Sequence, residues 1–343
     1  MTHQHKKYKR VSIIVLNYNS QNFIENCLKS ILQIDYPDYE IIFVDNASTD
    51  KSVEIAKSIL KSSFAHSYKI IVNKNNIGTE GRNIGARYST GEYLVFLDSD
   101  VRVDPQWLKE VLKVFDDDPK VGVVMPKLLS AKDPEILDNA GHYIDVFGIT
   151  YFIGRLQKEV KYTTRNVIFG AAGPALVIKS DLFHLLGGFD SDYFLLFEES
   201  DLCWRVWISG YKVIFEPKSR VYHWGASSYK GGKGYNETFL FVRNRLASMI
   251  KNYEIINMLK YVTGNIILML TLSLLHVIHK DLIRAKATWD GIFYNFKVLK
   301  HTLSKRIQVQ RLRKVTDSQL INNEVIKKFN IKKLIKKYKN LNL

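Results

Sequence analysis

The sequence predicts an α/β fold: a doubly wound, mostly parallel sheet flanked by helices, with a C-terminal helical extension that associates with a membrane. Three observations carry this reading. Short apolar runs of strand length alternate with segments of helical periodicity through the first third of the chain. That rhythm belongs to a parallel sheet with right-handed crossovers. The apolar runs end in polar loops, and the positive charge is confined to the far end of the chain.

The elements follow in order. Residues 11–16 (VSIIVL) form an unbroken apolar strand. Residues 22–32 carry Phe23, Ile24, Cys27, Leu28, Ile31 and Leu32 at helical spacing. Residues 40–44 are the next strand and 50–60 the next helix; 68–72, 79–88 and 93–97 repeat strand, helix, strand. Strand one runs into Asn17-Tyr18-Asn19-Ser20 and strand two into Asp45-Asn46-Ala47-Ser48-Thr49-Asp50. Ser48, Thr49 or Asp50 can cap a helix, which leaves Asp45 and Asn46 unexplained by capping. A turn-rich loop, Asn73 to Gly78, opens the helix that holds Arg82 and Asn83. In a parallel sheet these loops share one edge, and ligands collect there. The segment 116–189 is less regular, with strands expected at 121–125 and 175–178 and an irregular stretch at 139–154.

The chain has 343 residues and 46% hydrophobic content, enough for a substantial core. Two cysteines, Cys27 and Cys203, sit in apolar patterns without metal-ligand spacing and read as reduced core thiols. The first ten residues are polar and basic with no apolar segment of a signal peptide, so the catalytic part is expected in the cytoplasm. The net charge is +16. The first 242 residues balance at 29 basic and 29 acidic, whereas the last 101 hold 21 Lys and Arg against 5 Asp and Glu. This asymmetry divides the chain into 1–242 and 243–343 and predicts an anionic partner for the second part.

The fourth apolar run, Tyr93 to Leu97, ends abruptly in Asp98-Ser99-Asp100. Paired acids at the carboxyl end of a strand have no packing role and are unfavourable without a cation. A divalent metal bridging to phosphate oxygens is the natural guest. A second acidic cluster, Glu198-Glu199-Ser200-Asp201, closes the aromatic run Tyr193 to Phe197 and opens a helix. Helix-dipole preference and an i,i+4 pair account for Asp201 and Arg205. They do not account for Glu198 and Glu199 beside an aromatic wall, where a carboxylate can acquire the basicity to take a proton from a hydroxyl. Further on, 213–215 is a strand, His223 lies in Tyr-His-Trp-Gly, and Ser227 to Gly234 is a glycine- and lysine-rich loop able to fold over a pyrophosphate.

Taken in order, SIIVLNYN, FVDNASTD, NNIGTEGRNIGA, YLVFLDSD, GGFDSDYFLLFEESDLCWR and YHWG resemble the family 2 glycosyltransferases of GT-A fold. The resemblance runs from Val11 to about Lys251. RNRLASMIKNY and the basic tail are similar to the rhamnosyltransferase-type subgroup of cell-surface glycan enzymes. The resemblance implies a nucleotide-diphosphate sugar donor, with Asp45 reading the base and Asn17, Asn19 and Arg82 close by. It implies Mg2+ or Mn2+ on Asp98 and Asp100, with Asp100 the more direct ligand and His223 a third. Glu199 aligns with the family's catalytic base, more often an aspartate, so Glu198 and Glu199 both stay candidates. The Gln-x-x-Arg-Trp signature of processive synthases is absent, which implies one sugar per acceptor. Direct displacement with no protein nucleophile would invert the anomeric centre. The acceptor implied is a lipid-linked or cell-envelope glycan.

Residues 243–253 have helical spacing, and 261–278 hold 18 residues without formal charge. A spanning helix needs about 20 apolar residues, so an interfacial anchor is expected ahead of a single span. Trp289, Phe293, Tyr294 and Phe296 interleave with Lys297 and Lys300, and 327–339 reads as a basic amphipathic helix. That composition suits the cytoplasmic face of an anionic membrane. Two other classes compete. A sugar nucleotidyltransferase would carry a glycine-rich phosphate loop after strand one, which Asn17-Tyr18-Asn19 does not match. A non-enzymatic nucleic-acid or membrane binder would need a basic folded domain, and the first 242 residues are neutral, so no nucleic acid is expected.

Overall fold

The computed structural model describes residues 8–63, 67–225 and 234–339. The first seven residues and the loop at 227–233 lie outside the described residues. The described chain divides into two compact units. One holds residues 8–142, 152–194 and 211–225, and the other holds 143–151, 195–210 and 234–339.

The first unit is built on an 11-stranded sheet. Its core alternates β1 (Val11–Asn17), α1 (Ile24–Ile31), β2 (Tyr39–Asp45), α2 (Ser52–Ser62), β3 (Ser67–Val72), α3 (Glu80–Arg87) and β4 (Tyr93–Asp98). Strands β3, β2, β1 and β4 lie side by side and parallel. Every residue of β2, every residue of β1 except Leu16 and every residue of β4 except Asp98 are buried. Burial of both alternating sets means that both sheet faces are covered, as crossover helices require. Helix α3 comes very close to the sheet. A Cβ at Gly85 would stand 2.4 Å from the Ile14 side chain, and one at Gly81 2.5 Å from Leu16.

Beyond β4 the order changes. β5 (Val101–Val103), α4 (Trp107–Asp117), β6 (Val121–Ser130) and β7 (Ile136–Asn139) follow. Next come β8 (His142–Asp145), β9 (Thr150–Phe152), β10 (Gln157–Lys158), β11 (Asn166–Val167) and β12 (Ala175–Lys179). β12 inserts antiparallel between β4 and β6, so the sheet is mostly rather than wholly parallel. After α5 (Ser180–Leu185) and α6 (Glu198–Ile208), the 12-residue β13 (Lys212–His223) runs parallel to β6 and antiparallel to β5. The strand expected at 213–215 therefore continues through Pro217, where its register with β6 shifts between Glu216 and Arg220. A bulge accommodates the missing proline N–H.

The second unit is largely helical. It contains α6, α7 (Tyr235–Asn252), α8 (Ile255–Ile278), α9 (Leu282–Lys297), α10 (Leu299–Arg311), α11 (Asp317–Asn322) and α12 (Ile331–Lys339). The short β14 (Ile326–Lys327) pairs with β8 in a three-stranded sheet. Val242, Leu246, Met269 and Ile292 form its core, with Val262, Ile266 and Leu270 packed against them. Helix α8 is longer than the uncharged run at 261–278: it begins at Ile255, because Lys260 interrupts the neutral run without breaking helical periodicity. It is the one described helix long and apolar enough to cross a membrane by length and composition, with a mean hydropathy of 1.8. Two of its polar residues point inward, where Asn265 donates to the Phe147 carbonyl at 2.5 Å and Ser273 donates to the Ala285 carbonyl at 3.4 Å.

Candidate functional site

In the first unit, the strand register aligns the polar ends of β1, β2 and β4. Asn17 pairs with Asp45, and Leu16 with Asp98. Asn17 and Asp45 are both fully buried. Asn17 Nδ2 donates to Asp45 Oδ1 at 2.7 Å and to Ser52 Oγ at 2.9 Å. The Ser48 N–H and Oγ–H donate to the two Asp45 oxygens at 2.9 and 2.5 Å. Asn19, at φ 50, accepts from the Thr49 N–H at 2.8 Å, and its own N–H donates to Ser48 Oγ at 2.8 Å. These bonds lace the first two loops into one rigid rim. Asp50, read as a possible cap, accepts from the Ser52 N–H at 3.0 Å at the start of α2.

The third loop is fixed from the other side. Gly78 has φ +60, and a Cβ there would meet the Phe194 carbonyl oxygen at 2.0 Å, so only glycine fits. Thr79 donates its N–H to the Phe194 carbonyl and its hydroxyl to the Tyr193 carbonyl. Arg82, with 4% of its side chain exposed, directs Nη2 at Asp98 Oδ1 (2.7 Å) and at the Gly173 carbonyl (3.0 Å).

Asp98 ends β4 and Asp100 precedes β5. The β5–β13 ladder pairs Val101 with His223, and the Trp224 N–H donates to the Asp100 carbonyl at 3.0 Å. Strand pairing thus carries His223 to a position 3.5 Å from Asp100 (Nε2 to Oδ1). One ligand atom each from Asp98, Asp100 and His223 falls within 4.8 Å of the others. Two carboxylates and an imidazole held this closely match the donor set of a divalent cation. The electrostatics agree. Burial raises the Asp98 carboxyl above its usual range, against the pull of Arg82, and the charge of Asp100 adds to the rise. Burial alone would lower His223, but hydrogen bonds to Asp100 and Asp138 outweigh it and push the imidazole up to about 10. A bound cation would relieve the same negative charge that holds this proton.

Asp138, on β7, was not singled out in the sequence reading. Its Oδ2 lies 2.9 Å from His223 Nδ1. Its position, 85 residues from His223, gives no local signal; only the pairing of β7 and β13 with the same strand β6 brings it there.

In the second unit, Glu198 and Glu199 occupy the first turn of α6. Glu198 is 2% exposed, whereas Glu199 is only half-buried. The turn before them is strained, since Leu196 (φ 70) and Phe197 (φ 73) both take left-handed backbone that non-glycine residues avoid. Asn244 on α7 holds it by donating Nδ2 to the carbonyls of Leu195 (2.9 Å) and Leu196 (2.6 Å). Asp201 is fully buried and receives Arg205 at 2.9 Å and Lys251 and Asn252 at 3.0 Å each. The i,i+4 pair expected from the sequence is present, within a larger network.

Comparison with known proteins gives a consistent picture. The profile of Glycosyl transferase family 2 matches residues 12–183, just over half of the chain. A poly-beta-1,6-N-acetyl-D-glucosamine synthase of Staphylococcus epidermidis is 23% identical over 219 residues, covering 63% of this chain and 50% of the synthase. The chain spans about half the length of the curated relatives it matches first. Among solved structures, GalNAc-T7 with UDP, GalNAc and Mn2+ superposes with a TM-score of 0.59 at 18% identity, over 72% of this chain and 48% of the other. The mannosyltransferase PcManGT of Pyrobaculum calidifontis, in complex with GDP-Man and Mn2+, gives a TM-score of 0.55 at 18% identity, over 89% and 87%. Both likenesses concern the fold, which is the GT-A arrangement.

Proposed function

The chain belongs to glycosyl transferase family 2, and on that footing we propose that it is a metal-dependent, inverting glycosyltransferase of the rhamnosyltransferase-type subgroup. It moves one sugar from a nucleotide-diphosphate sugar to a hydroxyl of a lipid-linked or cell-envelope glycan. The convergence of Asp98, Asp100 and His223 at the carboxyl edge of the parallel strands carries this reading. The segment RNRLASMIKNY at 243–253 supports the subgroup.

In this mechanism Asn17, Asn19, Asp45 and Arg82 form the donor-binding rim, with the nucleotide at the strand ends where α/β sheets hold such ligands. Asp98, Asp100 and His223 would hold Mg2+ or Mn2+, which would neutralise charge on the nucleoside diphosphate leaving group. Arg82 orients Asp98 and opposes the rise that burial imposes on its carboxyl. Glu199 takes the proton from the acceptor hydroxyl, and no protein nucleophile is needed, so the anomeric centre inverts. The partial exposure of Glu199 and the burial of Glu198 favour Glu199 for that role.

The protein works at the cytoplasmic face of a membrane, peripherally attached through residues 243–343. Ile256, Leu259, Ile267, Leu274 and Ile278 are exposed on α8, and Trp289, Phe293 and Phe296 on α9. This outer surface, with the basic excess of the tail, suits an anionic interface.

The test is product analysis with a panel of nucleotide sugars and Mn2+. Release of free nucleoside diphosphate with transfer of one sugar is expected; release of pyrophosphate would mark a nucleotidyltransferase instead. Glu199→Gln should abolish turnover while donor binding survives, and full activity in that variant would refute the base assignment.

A further inference from the structure

We infer that Asp138 is the positioning residue that fixes the tautomer and ring orientation of His223, and so sets the affinity of the acid cluster for a divalent cation. The inference rests on the proposed metal reading and deepens it. Asp138 stands on β7, and His223 closes β13. Both strands pair with the last residues of β6: Leu129 faces Leu137 on β7 and Tyr222 on β13, with a register irregularity between Leu128 and Leu129. Across that junction the Asp138 carboxylate meets His223 Nδ1 at 2.9 Å, while Nε2 faces Asp100 Oδ1 at 3.5 Å.

A neutral imidazole has one N–H and one lone pair. With Asp138 accepting from Nδ1–H, the lone pair sits on Nε2, on the side of Asp98 and Asp100. The carboxylate also makes that nitrogen a better donor, as it does where histidines bind metals. Asp138 itself is not among the residues whose ligand atoms converge, so it acts through His223 alone. Its side chain is 27% exposed and that of His223 16%, so the pair is shielded enough to hold its geometry.

The experiment is direct Mn2+ titration of the full chain, with and without UDP, read by electron paramagnetic resonance of free Mn2+. It is combined with 15N spectroscopy of the histidine rings in the chain loaded with diamagnetic Mg2+, where a ligating imidazole is neutral. Asp138→Ala should weaken Mn2+ binding about 10- to 100-fold and shift the His223 tautomer signal. Asp138→Asn, whose amide oxygen can still accept, should restore most of the affinity. In a His223→Ala background, Asp138→Ala should add almost nothing. Wild-type affinity in Asp138→Ala, or a full extra loss on top of His223→Ala, overturns this inference while leaving the metal reading intact. A wild-type chain that binds no Mn2+ overturns both.

Discussion

Arg82 Nη2 lies 2.7 Å from Asp98 Oδ1, and it reaches there from helix α3 with 4% of its side chain exposed. The guanidinium also rests 5.5 Å from the centre of the Phe189 ring. Arg82 is thus a buried cation fixed against the acid cluster.

Removing it leaves Asp98 beside Asp100 with less compensation. Breaking a buried ion pair by deleting one partner typically destabilises by about 3–5 kcal/mol. Asp98 is one-third exposed, so about 2 kcal/mol is expected for Arg82→Leu after discounting for solvent screening. Adding Asp98→Asn to that variant should restore most of the lost stability but no transferase activity. Chemical denaturation of the single and double variants checks this; equal stability of the two would separate Arg82 from Asp98 energetically.

The Asp201 network in the second unit invites a sharper test. Asp201, Lys251 and Arg205 are all buried, and the Asp201 carboxylate meets both cations. Asp201→Asn strands those cations and should cost about 3–5 kcal/mol. Combining it with Lys251→Met removes one stranded charge, so the double variant should lose roughly 1–3 kcal/mol less than the sum of the singles. Strict additivity in urea unfolding would contradict the network.

Much of this architecture was legible in the sequence, and the exceptions have physical causes. The runs VSIIVL, EIIFV and YLVFL read as parallel strands because burial on both faces leaves no polar alternation. The end of β13 was hidden because Glu216, Pro217, Lys218 and Arg220 interrupt its apolar run, and the bulge that tolerates them is a tertiary event. The stretch 139–154 read as irregular because β8 gains its partner from Ile326 and Lys327 at the far end of the chain. Asp138 and Asn244 were invisible for the same reason: each acts on a residue brought near only by the fold.

Acid sensitivity should trace in part to His142. Burial lowers its imidazole to about 3, against an ordinary value of 6.5. Between those values the unfolded chain binds a proton that the folded chain refuses. The contribution to stability is therefore fully present above about pH 6.5 and is lost as pH falls towards 3. The slope is about 1.4 kcal/mol per pH unit, or about 2 kcal/mol from pH 6.5 to 5. His142→Leu should flatten the pH dependence of urea unfolding by that amount over this window. Parallel profiles for the two proteins would exclude His142 as a source.

Membrane attachment should depend on α9 and on charge together. Trp289 and Phe293 are 42% and 60% exposed, and their rings stack at 5.9 Å. Inserting about 40 Å2 of each ring's exposed surface should contribute about 1 kcal/mol, given roughly 25 cal/mol per Å2 of apolar area. Replacing both by Ser should lower partitioning onto anionic vesicles roughly 10- to 30-fold, and raised salt should weaken the wild type as well. Undiminished vesicle binding by the double variant would remove α9 from the interface.

The last prediction concerns Asn244, whose amide donates to the carbonyls of Leu195 and Leu196 just before the left-handed pair Leu196 and Phe197. Left-handed backbone at such residues is unfavourable by about 1–3 kcal/mol each, so the turn persists because it is held. Asn244→Ala removes the holder and lets the first turn of α6, with Glu199, relax. Misplacement of a reacting group by about 1 Å can lower a rate about 100-fold. On the proposed base role, kcat should fall roughly 10- to 100-fold while donor affinity stays near wild type. Substituting Phe197→Gly in the same variant relieves strain, so stability should recover while kcat stays low. Recovery of kcat together with stability would show that Asn244 serves the fold and not the aim of the carboxylate.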